Sequence, residues 1–416
     1  MKELEKLLPG KKGILFVYDA LRIGGCERVI TVLAKSFASK GIPVTILMIK
    51  KDIIEFDVPE NVTVKTFKDY PQKILKSVEG LSIYLKLQWS KLANKVLALH
   101  KPWQDKYKDT LEARAGMWRI YSRYCGFMKA CFDDYKEYIV ISFMDNPNFA
   151  TLLTSKHCSN TVIVSERSHP DRDDIQIYFR KYRNKLYSRA DLCVFQLDGA
   201  RTYFPARVQS KSVVIENPIT QVLPEPHKGP RRKEIITFCR LDDVQKNLTG
   251  LINAFEKIHE RFPEYNLAIY GKGAHQDYLQ EHINSLKLSN RVELRPYDSK
   301  VHDIVKDAAM FVSFANYEGL SNSMLEAMAI GMPVICSDCP PGGARLMITH
   351  GENGLLVPVG DEEKLSEAMV YMLTHPEEAE AMGIKAANIR NRCDPEAISE
   401  KWLQAIKSTL TKVDNI

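Results

Sequence analysis

Apolar stretches of six to eight residues recur along the chain, and amphipathic stretches separate most of them. They lie at 13–20, 43–50, 137–143, 161–166, 191–197 and 212–217, and then at 234–241, 265–271, 291–296, 310–315 and 332–338. Stretches that are apolar along their whole length are typical of parallel strands buried on both faces. Between the first two, Val29, Leu33 and Phe37 have helical spacing, and Gly41 ends the predicted helix at 27–40. The alternation predicts an α/β fold with helices covering parallel sheets.

A proline-rich segment separates the two series of strands. Residues 216–233 contain four prolines, which are typical of a linker. A chain of 416 residues is also long for a single hydrophobic core. We therefore predict two Rossmann-like domains at 1–220 and 221–395, and a C-terminal helix at about 396–416 that packs back on the first domain.

Residues 71–136 interrupt this alternation and predict a helical insertion. One stripe of a helix at this place collects six apolar residues: Leu81, Leu85, Trp89, Leu92, Val96 and Leu99. Three lysines lie away from the stripe: Lys86, Lys91 and Lys95. Such a helix either packs on its own domain or lies on an anionic membrane surface. The sequence leaves both interpretations open.

Charge is distributed unevenly between the two halves. Residues 1–220 hold 36 Lys and Arg against 24 Asp and Glu, whereas residues 221–416 hold 22 against 28. A basic first half suggests an anionic partner such as a phospholipid or a phosphorylated substrate, although a solvated lysine-rich surface has the same composition. The basic residues are scattered rather than concentrated on one recognition helix, so we do not expect a nucleic-acid partner.

Targeting and metal signals are weak in this sequence. It has no run of about 18 apolar residues and no signal-peptide pattern, so we expect neither a spanning helix nor secretion. The nine cysteines are then expected to be reduced thiols in a cytoplasmic protein. Cys336 and Cys339 form a C-x-x-C pair without a second pair, and the histidines lack zinc-site spacing, so we predict no metal.

Polar residues that follow the predicted strands are the candidates for chemistry, because ligands of parallel sheets bind beyond the carboxyl ends of strands. After the first strand, Gly24 and Gly25 begin a helix and would let backbone N–H groups approach a phosphate. At the end of the strand at 234–241 and in the loop that follows it, Arg240 and Lys246 provide two cations suited to a diphosphate.

The stretch EGLSNSMLE at 318–326 follows the strand at 310–315. Ser323 and Glu326 match a capping box, which predicts a helix that begins near residues 321–323 and ends near Gly331. A diphosphate could lie at its N-terminus against three residues: Gly319, Leu320 and Ser321. Glu318 and Glu326 could then accept hydrogen bonds from sugar and ribose hydroxyls.

The strings FANYEGLSNSMLEAMAIGMPVICSDCPPGG (314–343) and HGENGLLVPVGD (350–361) resemble the donor site of family 4 glycosyltransferases of the GT-B fold. Their E-x7-E pair corresponds to Glu318 and Glu326. Further matches occur in order along the chain: Gly24-Gly25, Arg240, Lys246-Asn247 and Tyr270-Gly271. The resemblance implies two Rossmann-like domains that face each other across a cleft.

The resemblance also implies roles for individual residues. Arg240 and Lys246 would hold the donor diphosphate, with Gly25 at the same group, Glu318 facing the donor sugar and Glu326 the ribose. Donor binding would also involve Gly24, Gly271, Gly319, Leu320 and Ser321. His169, with Arg167 as second choice, would lie near the reacting carbon in the loop after 161–166.

The implied reaction is a metal-independent transfer, with retention, of a hexose or N-acetylhexosamine from a UDP-sugar. No cofactor is implied. The acceptor would be a lipid-linked glycan, such as one on polyprenyl phosphate, or a polysaccharide of the bacterial surface. The enzyme would be cytoplasmic and peripheral on the inner face of the membrane. Two alternatives stay open: epimerase or phosphorylase chemistry on the same fold, and a catalytically silent scaffold that binds sugar nucleotides or membranes.

Overall fold

The computed structural model describes residues 2–22, 24–55, 57–70, 78–97, 114–171, 177–220 and 223–413. The chain forms two compact units, Met1–Ile215 together with Ser399–Ile416, and Glu216–Ile398. The division between them falls where the proline-rich segment begins. The C-terminal segment belongs to the first unit by its contacts.

A seven-stranded parallel sheet forms the centre of the first unit, in the order β3-β2-β1-β4-β5-β6-β7. Its strands are β1 Gly13–Tyr18, β2 Val44–Met48, β3 Val62–Thr66, β4 Tyr138–Phe143, β5 Val162–Glu166, β6 Leu192–Phe195 and β7 Ser212–Val214. Every residue of β1, β2, β5 and β6 is buried, as expected for strands covered on both faces.

Helices connect these strands. They are α1 Lys2–Leu7, α2 Gly25–Ser39, α3 Val78–Leu97, α4 114–120, α5 Gly126–Asp134, α6 Asp145–Thr154, α7 Ile177–Tyr187, α8 Asp198–Arg201 and α9 Ala206–Gln209. A π-helical turn, Tyr121–Cys125, joins α4 to α5. The predicted stripe in α2 is buried, and Phe37 stacks on Phe16 of β1 with ring centroids 6.2 Å apart.

The second unit has a six-stranded parallel sheet in the order β10-β9-β8-β11-β12-β13. Its strands are β8 Arg232–Phe238, β9 Asn266–Tyr270, β10 Val292–Arg295, β11 Ala308–Ser313, β12 Val334–Ser337 and β13 Leu355–Val357. Its helices are α10 Asp243–Lys246, α11 Leu248–Glu256, α12 Gln276–Ser285, α13 Val301–Val305, α14 Asn322–Ala329, α15 Gly343–Met347, α16 Glu362–Thr374, α17 Pro376–Ala386 and α18 Ile389–Arg392. The last helix, α19 Pro395–Val413, supplies its residues from Ser399 onward to the first unit.

The predicted α/β class with two parallel sheets is confirmed. Two strands had no sequence prediction, and both lie at a sheet edge: β3 and β13. β3 is mostly half-exposed and carries a lysine, while β13 has only three residues. Neither gives the long apolar run that marks the central strands.

The predicted helical insertion is present where the structure describes it, as α3, α4 and α5. Residues 71–77 and 98–113 of that prediction, including Leu99, lie outside the described residues. In the described part of the chain, no helix is both long enough and apolar enough to cross a bilayer.

Candidate active site

The second unit contains a topological switch between β8 and β11. From β8 the chain moves outward through β9 and β10, and it then returns to β11 on the other side of β8. The connections after two adjacent parallel strands therefore leave in opposite directions and open a crevice at their carboxyl ends. The loops that follow β8 and β11 carry Lys246 and Glu318.

Local capping fixes the loop after β8. Asp242 is the N-cap of α10, and its side chain accepts a hydrogen bond from the backbone N–H of Gln245, 3.4 Å away. Asn247 adopts the left-handed conformation, with φ of 48°, and its side chain caps α11 by accepting from Gly250. Asparagine tolerates this conformation better than most residues. These two caps place Lys246 at the end of the one-turn helix α10.

Lys246 forms an ion pair with Glu318 across the crevice. Gln245 donates a hydrogen bond to the same carboxylate at 3.3 Å, and its amide oxygen accepts one from Arg240 at 2.7 Å. Arg240 also pairs with Asp242 at 3.2 Å. Two predicted cations and one predicted carboxylate thus belong to a single hydrogen-bonded cluster, which we call the 240–318 cluster: Arg240, Gln245, Lys246 and Glu318.

The members of this cluster differ in exposure. The side chains of Lys246 and Glu318 are 13% and 20% exposed, whereas that of Arg240 is 63% exposed. Burial is the largest single effect on the pKa of Lys246 and would lower it, but the charge of Glu318, the neighbouring Cys239 and the hydrogen bond to Glu318 together outweigh burial, and the pKa is raised. The site therefore holds a fixed ammonium and a solvent-facing guanidinium.

Backbone contacts hold the loop that carries Glu318. Its N–H donates to the carbonyl of Pro340 at 3.0 Å, and the N–H of Asn316 donates to the carbonyl of Gln245 at 2.9 Å. Gly319 lies directly against α15, because a Cβ atom added at Gly343 would meet the Gly319 carbonyl oxygen at 1.8 Å. Only glycine fits at 343 without moving the loop.

Helix α14 begins at Asn322, and Ser321 is its N-cap, accepting from the N–H of Met324 at 3.4 Å. The predicted capping box of Ser323 and Glu326 is therefore wrong, because Ser323 lies within the first turn and its hydroxyl is 3.1 Å from that of Ser321. The predicted extent of the helix agrees with the structure to within two residues at each end.

Asn217 braces the start of α14. It is buried, and its side-chain amide donates to the carbonyl of Leu320 at 3.1 Å and to the side chain of Asn322 at 2.7 Å. The backbone from Gly319 to Ser321 is therefore held from both sides. These are the N–H groups that a helix N-terminus offers to an anion.

Glu326 is 2% exposed, and its carboxylate lies 2.9 Å from Nε2 of His302 on α13. His302 in turn packs edge-on against Phe238 at the end of β8, with centroids 5.4 Å apart. The described structure thus pairs Glu326 with a buried histidine. Its contact with a ribose stays a prediction.

Gly271 has a steric reason to be glycine. A Cβ atom at this position would lie 2.0 Å from the carbonyl oxygen of Cys239, and one at Gly273 would lie 2.2 Å from that of Leu241. The segment after β9 therefore runs against the segment after β8, joined to it by a 3.1 Å hydrogen bond from Leu241 N–H to the Lys272 carbonyl. Gly271 thus supports the backbone from which Arg240 projects.

In the first unit, Gly24 is the N-cap of α2 and Gly25 is its first residue. The backbone of Gly24 is extended, with φ of −176°, so its conformation alone does not require glycine. The two glycines lie beyond β1, beside the switch between β1 and β4. They form the N-terminus of α2, and their contact with a diphosphate stays a prediction.

Arg167 and His169 lie in the loop that follows β5. Arg167 is buried: its Nε donates to the Ser165 hydroxyl at 2.7 Å, and its guanidinium lies 5.4 Å from the ring centroids of Phe143 and Trp402. Burial lowers the pKa of Arg167 to about 10. Nε2 of His169 is 3.2 Å from the hydroxyl of Tyr203.

A buried polar network supports this loop, and sequence reasoning did not identify it. Glu166 accepts hydrogen bonds from the N–H groups of Arg167 and Ser168 at 3.1 and 3.3 Å and from the Tyr187 hydroxyl at 3.0 Å. Asn148 then donates to that hydroxyl at 2.8 Å. The network fixes the backbone of the loop through one buried carboxylate.

The structure brings some predicted residues together and adds others. Arg240, Lys246 and Glu318 share one cluster. The adjoining backbone contains three more predicted residues: Gly319, Leu320 and Ser321. Four predicted residues belong to the first unit: Gly24, Gly25, Arg167 and His169. Three residues of the second unit were missed: Asn217, Gln245 and His302. Gln245 lies between Arg240 and Lys246 along the chain, and this position was its only sequence signal.

Residues 221–389 match the family described as Glycosyl transferases group 1. This part of the chain is a group 1 glycosyl transferase domain. It includes the 240–318 cluster, α14 and the His302–Glu326 pair. The family assignment agrees with the resemblance inferred from the sequence.

Curated relatives of this chain include glycosyltransferases. An uncharacterised glycosyltransferase of Haemophilus influenzae is 23% identical over 213 residues, covering 51% of this chain and 60% of that protein. The poly(glycerol-phosphate) alpha-glucosyltransferase of Bacillus subtilis is 27% identical over 165 residues, covering 40% of this chain and 24% of that protein. The match spans less than two thirds of the length of either relative.

The matches to solved structures extend over both units. HepE of Anabaena, in complex with UDP and glucose, has a TM-score of 0.69 at 16% identity, with 96% of this chain and 100% of that chain covered. The pneumococcal O-GlcNAc transferase GtfA, in complex with UDP and GlcNAc, has a TM-score of 0.69 at 15% identity, with 96% and 99% covered. The chain has the GT-B fold, with the group 1 domain as its second half.

Proposed function

We propose that this chain is a glycosyltransferase that moves a hexose or N-acetylhexosamine from a UDP-sugar to a glycan acceptor, with retention of anomeric configuration. The observation that carries the proposal is the 240–318 cluster beside the N-terminus of α14. It combines a buried ammonium, an exposed guanidinium and a carboxylate at one switch point of a parallel sheet.

The cluster suits a departing diphosphate. Lys246 has three N–H donors, so it can keep its bond to Glu318 and also contact a phosphate oxygen. Arg240 is exposed and can bind two phosphate oxygens at once. With the N–H groups at the start of α14, these cations would stabilise the negative charge that develops when the sugar–phosphate bond breaks.

Glu318 would accept hydrogen bonds from donor-sugar hydroxyls, because an ionised carboxylate offers two acceptor oxygens. His169, or Arg167 in second place, would lie near the reacting carbon. We propose that the leaving phosphate accepts the proton of the acceptor hydroxyl. The positive charge that this route needs comes from side chains and a helix terminus, so we propose a reaction that requires neither metal nor cofactor.

The acceptor we propose is a lipid-phosphate-linked glycan or a surface polysaccharide. Support comes from the basic composition of residues 1–220 and from the Bacillus subtilis relative, whose name gives poly(glycerol-phosphate) as its substrate. Enzymes acting on lipid-linked acceptors work at a membrane surface, so we also propose peripheral attachment to an anionic bilayer.

Donor binding by a matched pair of lysine variants tests the role of the cluster. Lys246→Met removes the ammonium beside Glu318, and Lys364→Met removes one from an exposed Lys–Glu pair on α16, where the Nζ–Oε2 distance is 2.6 Å. We expect Lys246→Met to weaken UDP binding in calorimetric titration by about tenfold or more, the scale of a charge-assisted hydrogen bond. Lys364→Met should bind UDP like the wild type.

Four further results would contradict parts of the proposal. The proposed UDP-sugar donor would be wrong if GDP- or ADP-sugars raise the melting temperature in a thermal-shift screen and UDP-sugars do not. Loss of turnover in EDTA, restored by a divalent cation, would overturn the metal-independent reaction. Consumption of the UDP-sugar without an acceptor would favour epimerase or phosphorylase chemistry, and an inverted anomeric product, measured by NMR, would exclude retention.

A further inference from the structure

Helix α3 presents a row of apolar side chains to solvent. Leu81, Leu85, Trp89 and Leu92 are 58%, 47%, 69% and 56% exposed. Their spacing of four, four and three residues places them along one line of the helix. Single exposed apolar residues are ordinary on protein surfaces, but a continuous row that includes a tryptophan indicates an interaction surface. We call it the α3 row.

The opposite side of α3 attaches the helix to the first unit. Leu87 is 7% exposed, and Ile83 lines a small cavity together with Met117 of α4 and Leu186 of α7. Tyr84 packs on Trp118, with ring centroids 5.3 Å apart. Because α3 is anchored by these contacts, the core of the unit does not need the α3 row.

Lysines flank the α3 row on both sides. Lys86 and Lys91 are exposed, and on a helix of 3.6 residues per turn they lie about 105° and about 115° to either side of the row. Lysine can extend its aliphatic stem along an apolar surface while its ammonium stays in water. The helix therefore has an apolar centre with a cationic margin on each side.

A cationic cavity adjoins the same helix. It has a volume of about 90 Å³ and lies between α3, α4 and α7. That volume is several times the roughly 10–15 Å³ that holds one water molecule. Four of its described lining residues are cations: Lys86, Arg114, Lys185 and Arg189. All of these except Lys185 also have an interaction within the protein. Tyr182 and Ser82 add hydroxyl groups.

We propose that α3 docks this protein on the surface of a bilayer containing anionic lipids. The α3 row enters the boundary between headgroups and acyl chains, where tryptophan and leucine side chains gain most from leaving water. The lysine margins lie at the headgroup level, and the cationic cavity accepts a lipid phosphate. This inference adds a docking surface to the proposed action on a lipid-linked acceptor.

Charge and composition favour a bilayer over other occupants. A second copy of this chain would bring the same lysine margins and arginines against each other. A nucleic acid would satisfy the cations, but a row of leucines has no counterpart on it. An anionic bilayer complements the apolar row and the cationic margins together.

Vesicle binding of the full chain tests the proposal. The probes are vesicles of phosphatidylcholine alone and of phosphatidylcholine with roughly 30% phosphatidylglycerol, a strongly anionic mixture. We expect the wild type to bind the anionic vesicles about tenfold more tightly and to be released by salt. The double variant Leu85→Ser/Trp89→Ser and the double variant Lys86→Gln/Lys185→Gln should each lose about tenfold in affinity.

Matched exposed residues of the second unit provide the control. Tyr278 and Ile384 are 51% and 62% exposed, and Tyr278→Ser/Ile384→Ser should bind vesicles like the wild type. UDP binding, measured on the same preparations, should be unchanged in all these variants. Vesicle binding then reports on α3 even if the donor proposal fails, and UDP binding reports on the donor site even if docking fails.

Three outcomes would overturn the proposal. The first is equal binding to neutral and anionic vesicles, and the second is wild-type binding by the Leu85→Ser/Trp89→Ser variant. The third is self-association of the wild type without lipid, detected by sedimentation and abolished by the same variant. That third result would assign the α3 row to contact between copies of this chain.

Discussion

Lys246 is mostly buried, yet its ammonium is stabilised because the carboxylate of Glu318 lies against it. Burial, the largest single effect, favours the neutral amine; the charge of Glu318, its hydrogen bond and the neighbouring Cys239 favour the ammonium, and together they raise the pKa. The charge of Lys246 therefore belongs to the folded site across the neutral pH range. A nucleotide diphosphate would meet a cation that is already in place.

The stability of the Lys246→Met variant should reflect the loss of this ion pair. Removing the ammonium leaves Glu318 without its ion-pair partner, at a cost of about 3 kcal/mol in the free energy of unfolding. Because the folded pKa is raised, this contribution is fully present below the unfolded value of about 10.4 and is lost only as pH rises through the folded pKa. Urea unfolding at pH 7, 8 and 9 should therefore give one constant difference between wild type and variant. A difference that shrinks steadily between pH 7 and 9 would contradict the raised pKa.

Charged residues of the site were predictable, and their uncharged partners were not. Arg240, Lys246 and Glu318 stand after strand-like runs and match a known motif, so the sequence identifies them. Gln245 carries no charge, and its amide joins Arg240 to Glu318 only because α10 turns it inward. His302 is separated from Glu326 by 24 residues, and only the packing of α13 beside α14 brings them to 2.9 Å.

At the level of elements, α14 is positioned by contacts outside itself. Asn217 comes from the segment before β8, yet its amide holds the carbonyl of Leu320 and the side chain of Asn322. The helix start thus depends on a residue about a hundred positions earlier in the chain. No local pattern in EGLSNSMLE could have indicated this contact.

Asn217→Ala should destabilise the second unit and weaken UDP binding. The variant leaves the buried Leu320 carbonyl without this donor, which costs about 1–3 kcal/mol. The backbone of 319–321 is then less firmly held, so we expect UDP affinity, measured by calorimetric titration, to fall by about tenfold at most.

Asn353→Ala is the matched control for this prediction. Asn353 also braces a loop, donating to the Met347 carbonyl at 3.0 Å and accepting from the Thr349 N–H at 2.8 Å. Asn353 precedes β13 and therefore lies near the amino ends of the strands, away from their carboxyl ends. The Asn353→Ala variant should lose comparable stability and keep its UDP affinity. Equal loss of affinity in both variants would show a general loosening of the unit.

Elements that are buried along their whole length or along one full face could be predicted from the sequence, and exposed or very short ones could not. Central strands and the apolar stripe of α2 were recognisable because every position or a full helical face is buried. The edge strands β3 and β13 were not recognisable, since a half-exposed or three-residue strand lacks that pattern. The extent of α14 was predicted, but its cap was not, because three serine or asparagine residues in succession each offer a capping side chain.

On the scale of the whole molecule, the first unit is assembled from two separate parts of the chain. Trp402 on α19 is fully buried, and its ring lies 5.8 Å from Phe143 at the end of β4 and 5.4 Å from the guanidinium of Arg167. Lys40 at the end of α2 pairs with Glu400 at 2.6 Å. The C-terminal segment therefore completes the core beside the loop that carries Arg167 and His169.

Trp402→Ala should destabilise the first unit selectively. Removing a fully buried indole costs about 3–5 kcal/mol, because the cavity it leaves is only partly refilled. Hydrogen exchange measured by mass spectrometry should show faster exchange in peptides from β4 and β5. Peptides from β8 and β11 should keep their protection, and an equal increase in both units would contradict the prediction.

The two-unit GT-B fold was predictable because motifs that are individually weak occur together in the right order. The predicted domain boundary at 220/221 and the observed division at 215/216 differ because Asn217 and Ile219 already contact the second unit, Ile219 through a 2.9 Å bond to the Cys393 carbonyl. Proline content marks a linker, but it does not show which of its residues pack.

The distribution of the first unit over two sequence segments has a consequence for biosynthesis. Domains generally form in the order in which a ribosome releases them, beginning at the N-terminus. Here the second unit is one continuous segment and can fold as soon as its own residues have left the ribosome. The first unit is synthesised earlier, but its core is complete only when Trp402 has been added. A nascent chain would thus carry an incompletely closed apolar surface through most of its synthesis, which is the period when chaperones would be needed most.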